Sequence, residues 1–151
     1  LPQLLQLPLG RRVAINGSPF PVDDTRGIPR AIFQGTIDNL NGPSLHKFLR
    51  RMCADTAAFR GFLAVTPRRP LEEIGEELVC AQLQVQTQQR KGEEPLPLWQ
   101  EAIVGSNDRI IPPENQLNAW QQLQVPVTCN DEAHYHEPLF RHYLQDLWTN
   151  S

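Results

Sequence analysis

The stretch "VGSNDRIIPP", residues 104–113, rises apolar to Val104, turns at Gly105-Ser106-Asn107, presents Asp108 and closes on Pro112-Pro113. An apolar run stopped by Gly and Asn is the pattern of a buried strand. It predicts a strand over Trp99–Val104 with an acid just past its carboxyl end. Such an acid is either a turn residue, a common place for Asp, or the orienting acid of a catalytic triad, which then needs a histidine and a nucleophile elsewhere.

Working outward, two more strands are expected. "RRVAING" holds one at Val13–Ile15, stopped by Asn16-Gly17, and Val125–Cys129 forms another, followed by "NDEAHYH". "SPFPVDDTRGIP" is a loop leaving the sheet. Pro43 opens a helix with Leu45, Phe48, Leu49 and Met52 on one face and Lys47, Arg50 and Arg51 pointing away. Asp55 caps a short helix bearing Phe59, Phe62 and Leu63. Pro70 opens the longest helix, with Leu71, Ile74, Leu78, Ala81 and Val85 as its stripe, and "RKGEEPLP" ends it. Pro113 starts a helix with Leu117, Trp120 and Leu123 inward. Pro138 starts the last, with Leu139, Tyr143, Leu144, Leu147 and Trp148 inward. Strand–helix alternation around a helical insertion predicts an α/β fold with a parallel sheet covered by helices. The expected division is 1–16, an end of helix and a core strand; 17–91, a helical insertion; and 92–151, the later strands and helices. Three strands are few for such a sheet, so further strands from outside this sequence or from a partner are expected.

The bulk numbers suit one globular domain: 151 residues, 40% hydrophobic and 21% charged. No apolar run approaches the ~20 residues of a membrane span, so no membrane partner is expected. The start, "LPQLLQLPLG", has no basic region ahead of its leucines and no initiator Met. Cys53, Cys80 and Cys129 are odd in number and far apart, which favours reduced thiols in a cytoplasm over a zinc site or disulfides. Charge is uneven within a net of −3. Residues 26–69 carry Arg26, Arg30, Lys47, Arg50, Arg51, Arg60, Arg68 and Arg69 against Asp38 and Asp55, a net of +6. That segment is either a solvated helical surface or a dock for an acidic partner.

Asp108 and His134 each follow a strand's carboxyl end, the edge where open α/β sheets carry their ligand sites. In α/β-hydrolases the chain order is nucleophile, acid, histidine. The carboxylate fixes the imidazole tautomer and the imidazole takes the nucleophile's proton. Either residue alone reads first as a turn acid or an exposed loop histidine; together, at the ends of successive strands, they read as catalytic. No G-x-S-x-G occurs. Ser18, Ser44 and Ser106 lack an elbow context, and no helix-entry turn directly follows Cys129 to activate a thiolate. "HYH" at 134–136, with Glu137 and His142, lacks further ligands at good spacing, so no metal is expected. The absence of a Gly-rich phosphate loop and of interleaved aromatics argues against a cofactor site and against nucleic acid.

"AINGSPFPVDDTRGIPRAIFQGTIDNLN" with "LHKFLRRMC", "GSNDRIIPPENQLNAW" and "DEAHYHEPLFRHYLQDLW" together resemble the BioG family of pimeloyl-acyl-carrier-protein methyl ester esterases, over nearly all 151 residues. The resemblance implies an α/β-hydrolase fold with residues 17–91 as a helical lid. It implies a carboxylic ester hydrolase of the Ser-Asp-His type that releases pimeloyl-carrier protein for biotin synthesis, with Asp108 as acid and His134 as base. His136 is the substitute base. The family's W-S-M-G-type elbow would lie upstream of "LPQLLQLPLG", so the resemblance implies a C-terminal portion, inactive alone, that lacks nucleophile and oxyanion hole. The carrier protein is the expected partner, docked by Arg50 and Arg51, with Lys47 beside them and Arg26 and Arg30 toward the phosphate of its prosthetic arm. Two alternatives stand beside this: another α/β-hydrolase acting on esters or thioesters, and a non-catalytic carrier-binding module.

Overall fold

The computed structural model describes residues 10–92, 95 and 98–149, apart from the side chains of 146–149. Expectations for residues 1–9, and for Leu147 and Trp148 as inward residues, fall outside this range. Three parallel strands, β1 (Val13–Ile15), β2 (Glu101–Gly105) and β3 (Val127–Asn130), pair in the order β1-β2-β3. Ala14 lies opposite Ala102, and Val104 opposite Cys129. Four helices separate β1 from β2: α1 (Arg30–Asp38), α2 (Gly42–Met52), α3 (Thr56–Val65) and α4 (Leu71–Lys91). α5 (Pro113–Gln122) joins β2 to β3, and α6 (Glu137–Thr149) follows β3. Parallel neighbours require such crossovers, so the connectivity follows from the strand order.

Local chemistry sets most helix ends. Asn41 and Ser44 bond reciprocally at the start of α2, and Pro43 sits in its first turn. The Asp55 carboxylate accepts from the Ala58 N–H to cap α3. Gly92 ends α4 in the left-handed region, with Glu72 and Glu73 in the first turn and Arg90 and Lys91 in the last, as the helix dipole favours. β3 begins two residues later than expected because Pro126 accepts from Ala102 but has no N–H to give.

Helix α1 was not anticipated. Gly35 and Thr36 weaken its propensity, and Phe33 is its buried residue. The expected inward stripes also narrow. Leu63, Leu71, Leu144 and Ala81 are exposed, and so is Leu117. On α5 the buried residues are Asn115, Gln116, Ala119 and Trp120. The helix is rotated so that two amides face inward, which hydrophobic periodicity alone cannot foresee. One apolar cluster, Ala14, Ala102, Val104, Trp120 and Val125, lies on the sheet under α5. A second, Val22, Phe33 and Val85, with Ile28 and Leu78 against it, joins the loop after β1 to α1 and α4.

That loop folds around one carboxylate. Asp23 accepts from the N–H groups of Thr25 and Arg26 and from the Arg26 guanidinium, and is nearly fully buried. The Arg26 bond, the largest influence, lowers its pKa from 3.8 to about 2 against the opposing effect of burial. A carboxylate whose pKa falls on folding stabilises the fold above its unfolded pKa, and this is lost as pH drops through the folded value. The contribution near neutral pH is on the order of 2 kcal/mol. Urea unfolding of wild type and Asp23→Asn should therefore differ fully at pH 6, with the difference shrinking between pH 3.8 and about 2. A difference independent of pH would show that packing, and not the charge, is what Asp23 contributes.

Candidate active site

Asp108 sits past β2 because Gly105 ends that strand against the loop after β3. A Cβ at Gly105 would lie 2.4 Å from the Glu132 carbonyl oxygen, so only glycine lets the two loops approach. The Asp108 N–H donates to the Gly105 carbonyl, closing the turn. Its carboxylate is wholly buried and satisfied on both oxygens. Oδ1 accepts from the N–H groups of Ile110 and Ile111, at 2.8 and 3.1 Å. Oδ2 accepts from Gln116 Nε2 at 2.8 Å and meets His134 Nδ1 at 2.9 Å. One carboxylate oxygen thus serves the turn and the other faces the histidine.

The His134 side chain keeps 21% of its surface exposed. With Nδ1–H given to the carboxylate, the neutral ring presents Nε2 as a proton acceptor. His136 turns elsewhere, its Nε2 lying 3.4 Å from Glu132, so the two histidines of "HYH" diverge. The loop carrying them is tied to the helical insertion: the Tyr135 N–H donates to the Met52 carbonyl, and the Tyr135 ring meets Phe62 edge-on. Arg51 Nη2 donates to the Arg109 carbonyl at 2.6 Å, so the end of α2 touches both the acid's loop and the histidine's loop.

Sequence reasoning missed Gln116 and the wider role of Asn16. Gln116 Nε2 bonds both Asp108 Oδ2 and the Ile111 carbonyl, and the residue is fully buried. Its position one turn after Pro112-Pro113, with the acid eight residues before it, was the available signal. Each candidate serine is engaged elsewhere. Ser18 Oγ donates to the Arg26 carbonyl, Ser44 caps α2, and Ser106 Oγ bonds Asp131. Cys129 is exposed on the outer strand. Burial of Cys53 pushes its thiol pKa up, which disfavours the reactive thiolate.

The expected docking cations do not form one free patch. Arg26 pairs with Asp23 and Arg30 with Asp24, acids lying just before the basic window, and the Arg30 side chain keeps 55% of its surface exposed. Arg69 likewise pairs with Glu73 and Glu77. Arg50 folds back toward the Cys53 carbonyl, Thr56 and the Phe59 ring instead of pointing away. Lys47 is exposed and, with Arg51, borders an apolar cleft of about 490 Å³ between α1, α2 and α4. Phe33, Leu45, Phe48 and Leu78 line it, and so does Ile110, two residues from the acid.

Residues 3–146 match the family model described as pimeloyl-ACP methyl esterase BioG. The chain belongs to the BioG family. BioG proteins serve biotin synthesis. A curated Bacteroides fragilis relative, named malonyl-[acyl-carrier protein] O-methyltransferase, is 46% identical over 91% of this chain and 27% of its own length. A Haemophilus influenzae protein described as uncharacterised is 38% identical over 91% of the chain and 61% of that protein. The crystal structure of BioG from Haemophilus influenzae matches with a TM-score of 0.76 and 36% identity, over 88% of this chain and 60% of that one. The chain therefore spans about a quarter to three fifths of the length of these relatives. They correct one expectation. The enzyme class read from the resemblance, a carboxylic ester hydrolase of the Ser-Asp-His type, is overturned by the Bacteroides relative, whose name is that of a methyltransferase. Among the described residues, no helix of this BioG-family chain is long and apolar enough to cross a membrane.

Proposed function

We propose that this chain supplies the proton-handling pair of a protein acting on the methyl ester of pimeloyl-acyl-carrier protein in biotin synthesis. The observation that carries the reading is the 2.9 Å contact between His134 Nδ1 and a buried, fully bonded Asp108 carboxylate. Such a pair holds the ring in one tautomer and stabilises the imidazolium once Nε2 has taken a proton. Detaching a methoxy group requires a proton to be taken from the attacking group and given to departing methanol. Adding a methyl group to a carboxylate requires neither, since the carboxylate is already ionised near pH 7. Both site residues lie past the carboxyl ends of parallel strands, which supports reading the body as the later part of an α/β-hydrolase fold. We assign residues 17–91 the role of its lid, between the core strand in 1–16 and the later strands and helices in 92–151. The apolar cleft with Lys47 and Arg51 at its border suits an acyl chain delivered by an acidic carrier.

The test is the complete protein offered pimeloyl-carrier methyl ester and, separately, malonyl-carrier protein with a methyl donor. Methanol released from the first supports the reading, and methylation of the second alone would replace it. Docking is tested by charge reversal. Lys47→Glu should raise KM for the carrier-borne ester several-fold, with strong salt dependence, and leave a small free methyl ester unaffected. Arg51→Ala should slow both substrates, because its guanidinium holds the Arg109 carbonyl beside Asp108. Equal losses on both substrates for Lys47→Glu would exclude this residue from carrier docking.

A further inference from the structure

We propose that Asn16 is the positioning residue that sets His134 against Asp108; the inference rests on the role proposed for that pair. Asn16 stands at the tip of β1, 4% exposed, with φ at +48°. That left-handed conformation is one that Asn tolerates better than most residues. An asparagine serving only as a turn residue bonds backbone within its own turn. The side chain of Asn16 bonds backbone far along the chain instead. Its Oδ1 accepts from the Gly105 N–H at 2.8 Å. Its Nδ2 donates to the carbonyls of Ala133 and His134, at 3.0 and 2.9 Å.

One buried amide therefore grips both loops that carry the pair. Gly105 starts the turn that presents Asp108, and the His134 carbonyl belongs to the histidine itself. The two loops share no covalent connection nearer than α5 and β3. Water competes poorly for bonds at a buried site, so the amide holds a stable spacing between the two backbones. Asn16 reaches no reacting atom. It acts through where His134 Nδ1 stands relative to Asp108 Oδ2.

The test uses the complete protein. Asn16→Gly suits the positive φ, so it removes the three side-chain bonds without straining the backbone. We expect kcat to fall about 10- to 100-fold, with KM nearly unchanged, as for a misplaced catalytic group. The proton resonance of His134 Nδ1–H, which reports the bond to Asp108, should shift or broaden. In a His134→Ala background, Asn16→Gly should lower the residual rate no further, because the two act as one unit. An unchanged resonance, with equal losses in both backgrounds, would overturn the proposal and leave Asn16 a residue of the fold alone. Should Asn16→Gly fail to fold, Asn16→Ser keeps a hydroxyl for one of these bonds and takes its place with the same readouts. If the complete protein shows no turnover of the pimeloyl ester, the proposed function falls separately. The resonance then decides the Asn16 proposal alone, and an unshifted signal in the variant overturns it.

Discussion

On the function proposed above, Asp108→Asn and His134→Ala are each expected to lower kcat of the complete protein on pimeloyl-carrier methyl ester by ~10³–10⁴-fold. The asparagine substitution keeps size and shape, so its effect isolates the proton. Asp108 Oδ1 accepts from two backbone N–H groups, and these would hold the new amide's oxygen on that side. Its NH2 would then face Gln116 Nε2 and His134 Nδ1, where the carboxylate oxygen now accepts from both. Gln116 cannot answer freely by turning its amide, because that would set Oε1 against the Ile111 carbonyl to which Nε2 now donates. His134 can answer only by moving its proton to Nε2, which removes the lone pair the chemistry needs. The loss should appear in kcat, with KM nearly unchanged. Activity within about tenfold of wild type for both variants would remove the pair from the mechanism.

Trp120→Ala should destabilise the fold by about 3–5 kcal/mol, the largest effect expected of any single core truncation here. Among the described residues the indole is the largest fully buried side chain, packed on Ala14, Ala102, Val104 and Val125. Three of these are small or β-branched residues of the sheet, with little reach to refill the space. The indole N–H also donates to the Gly17 carbonyl at 3.1 Å, next to Asn16. Trp120→Phe keeps most of the volume and loses that donor, so it should cost about 1–2 kcal/mol. Denaturant unfolding of both variants checks the order. Equal costs would assign the stabilisation to the hydrogen bond and not to packing. Because α5 carries both Trp120 and Gln116, Trp120→Ala should also loosen the support of Asp108.

The strands were legible because short apolar runs ended at Asn16-Gly17, Gly105-Ser106 and Asn130; the runs of β1 and β2 lie buried or half-buried in the sheet, while the outer strand β3 keeps Thr128 and Cys129 exposed. Helix starts at α2 and α3 were legible because caps are local chemistry: Asn41, Pro43 and Asp55 act within four residues of themselves. Helix α1 was not, since Gly35 and Thr36 dilute its pattern and its one buried residue finds partners on α4 and in the loop after β1. The face of α5 was misjudged for a related reason. Asn115 and Gln116 are buried because backbone carbonyls of distant loops and the Asp108 carboxylate receive their protons. A polar side chain is tolerated inside when such partners exist, and partners are a property of the fold.

Charge shows the same division. The eight cations of residues 26–69 were plain in the sequence. That Asp23, Asp24, Glu73 and Glu77 engage three of them, while Arg51 turns to the Arg109 carbonyl, depends on where the loops and helices pack. For the candidate site, chain order and strand ends singled out Asp108 and His134, because a parallel sheet brings successive carboxyl ends to one edge. Which histidine meets the acid was settled only by the tertiary structure. Asn16 holds the Ala133 and His134 carbonyls, Gly105 allows the loops to touch, and His136 is left to face Glu132. A two-residue choice within "HYH" is a matter of a few ångströms. Distances of that size are set by contacts such as those of Asn16, between segments far apart in the chain, which local pattern does not encode.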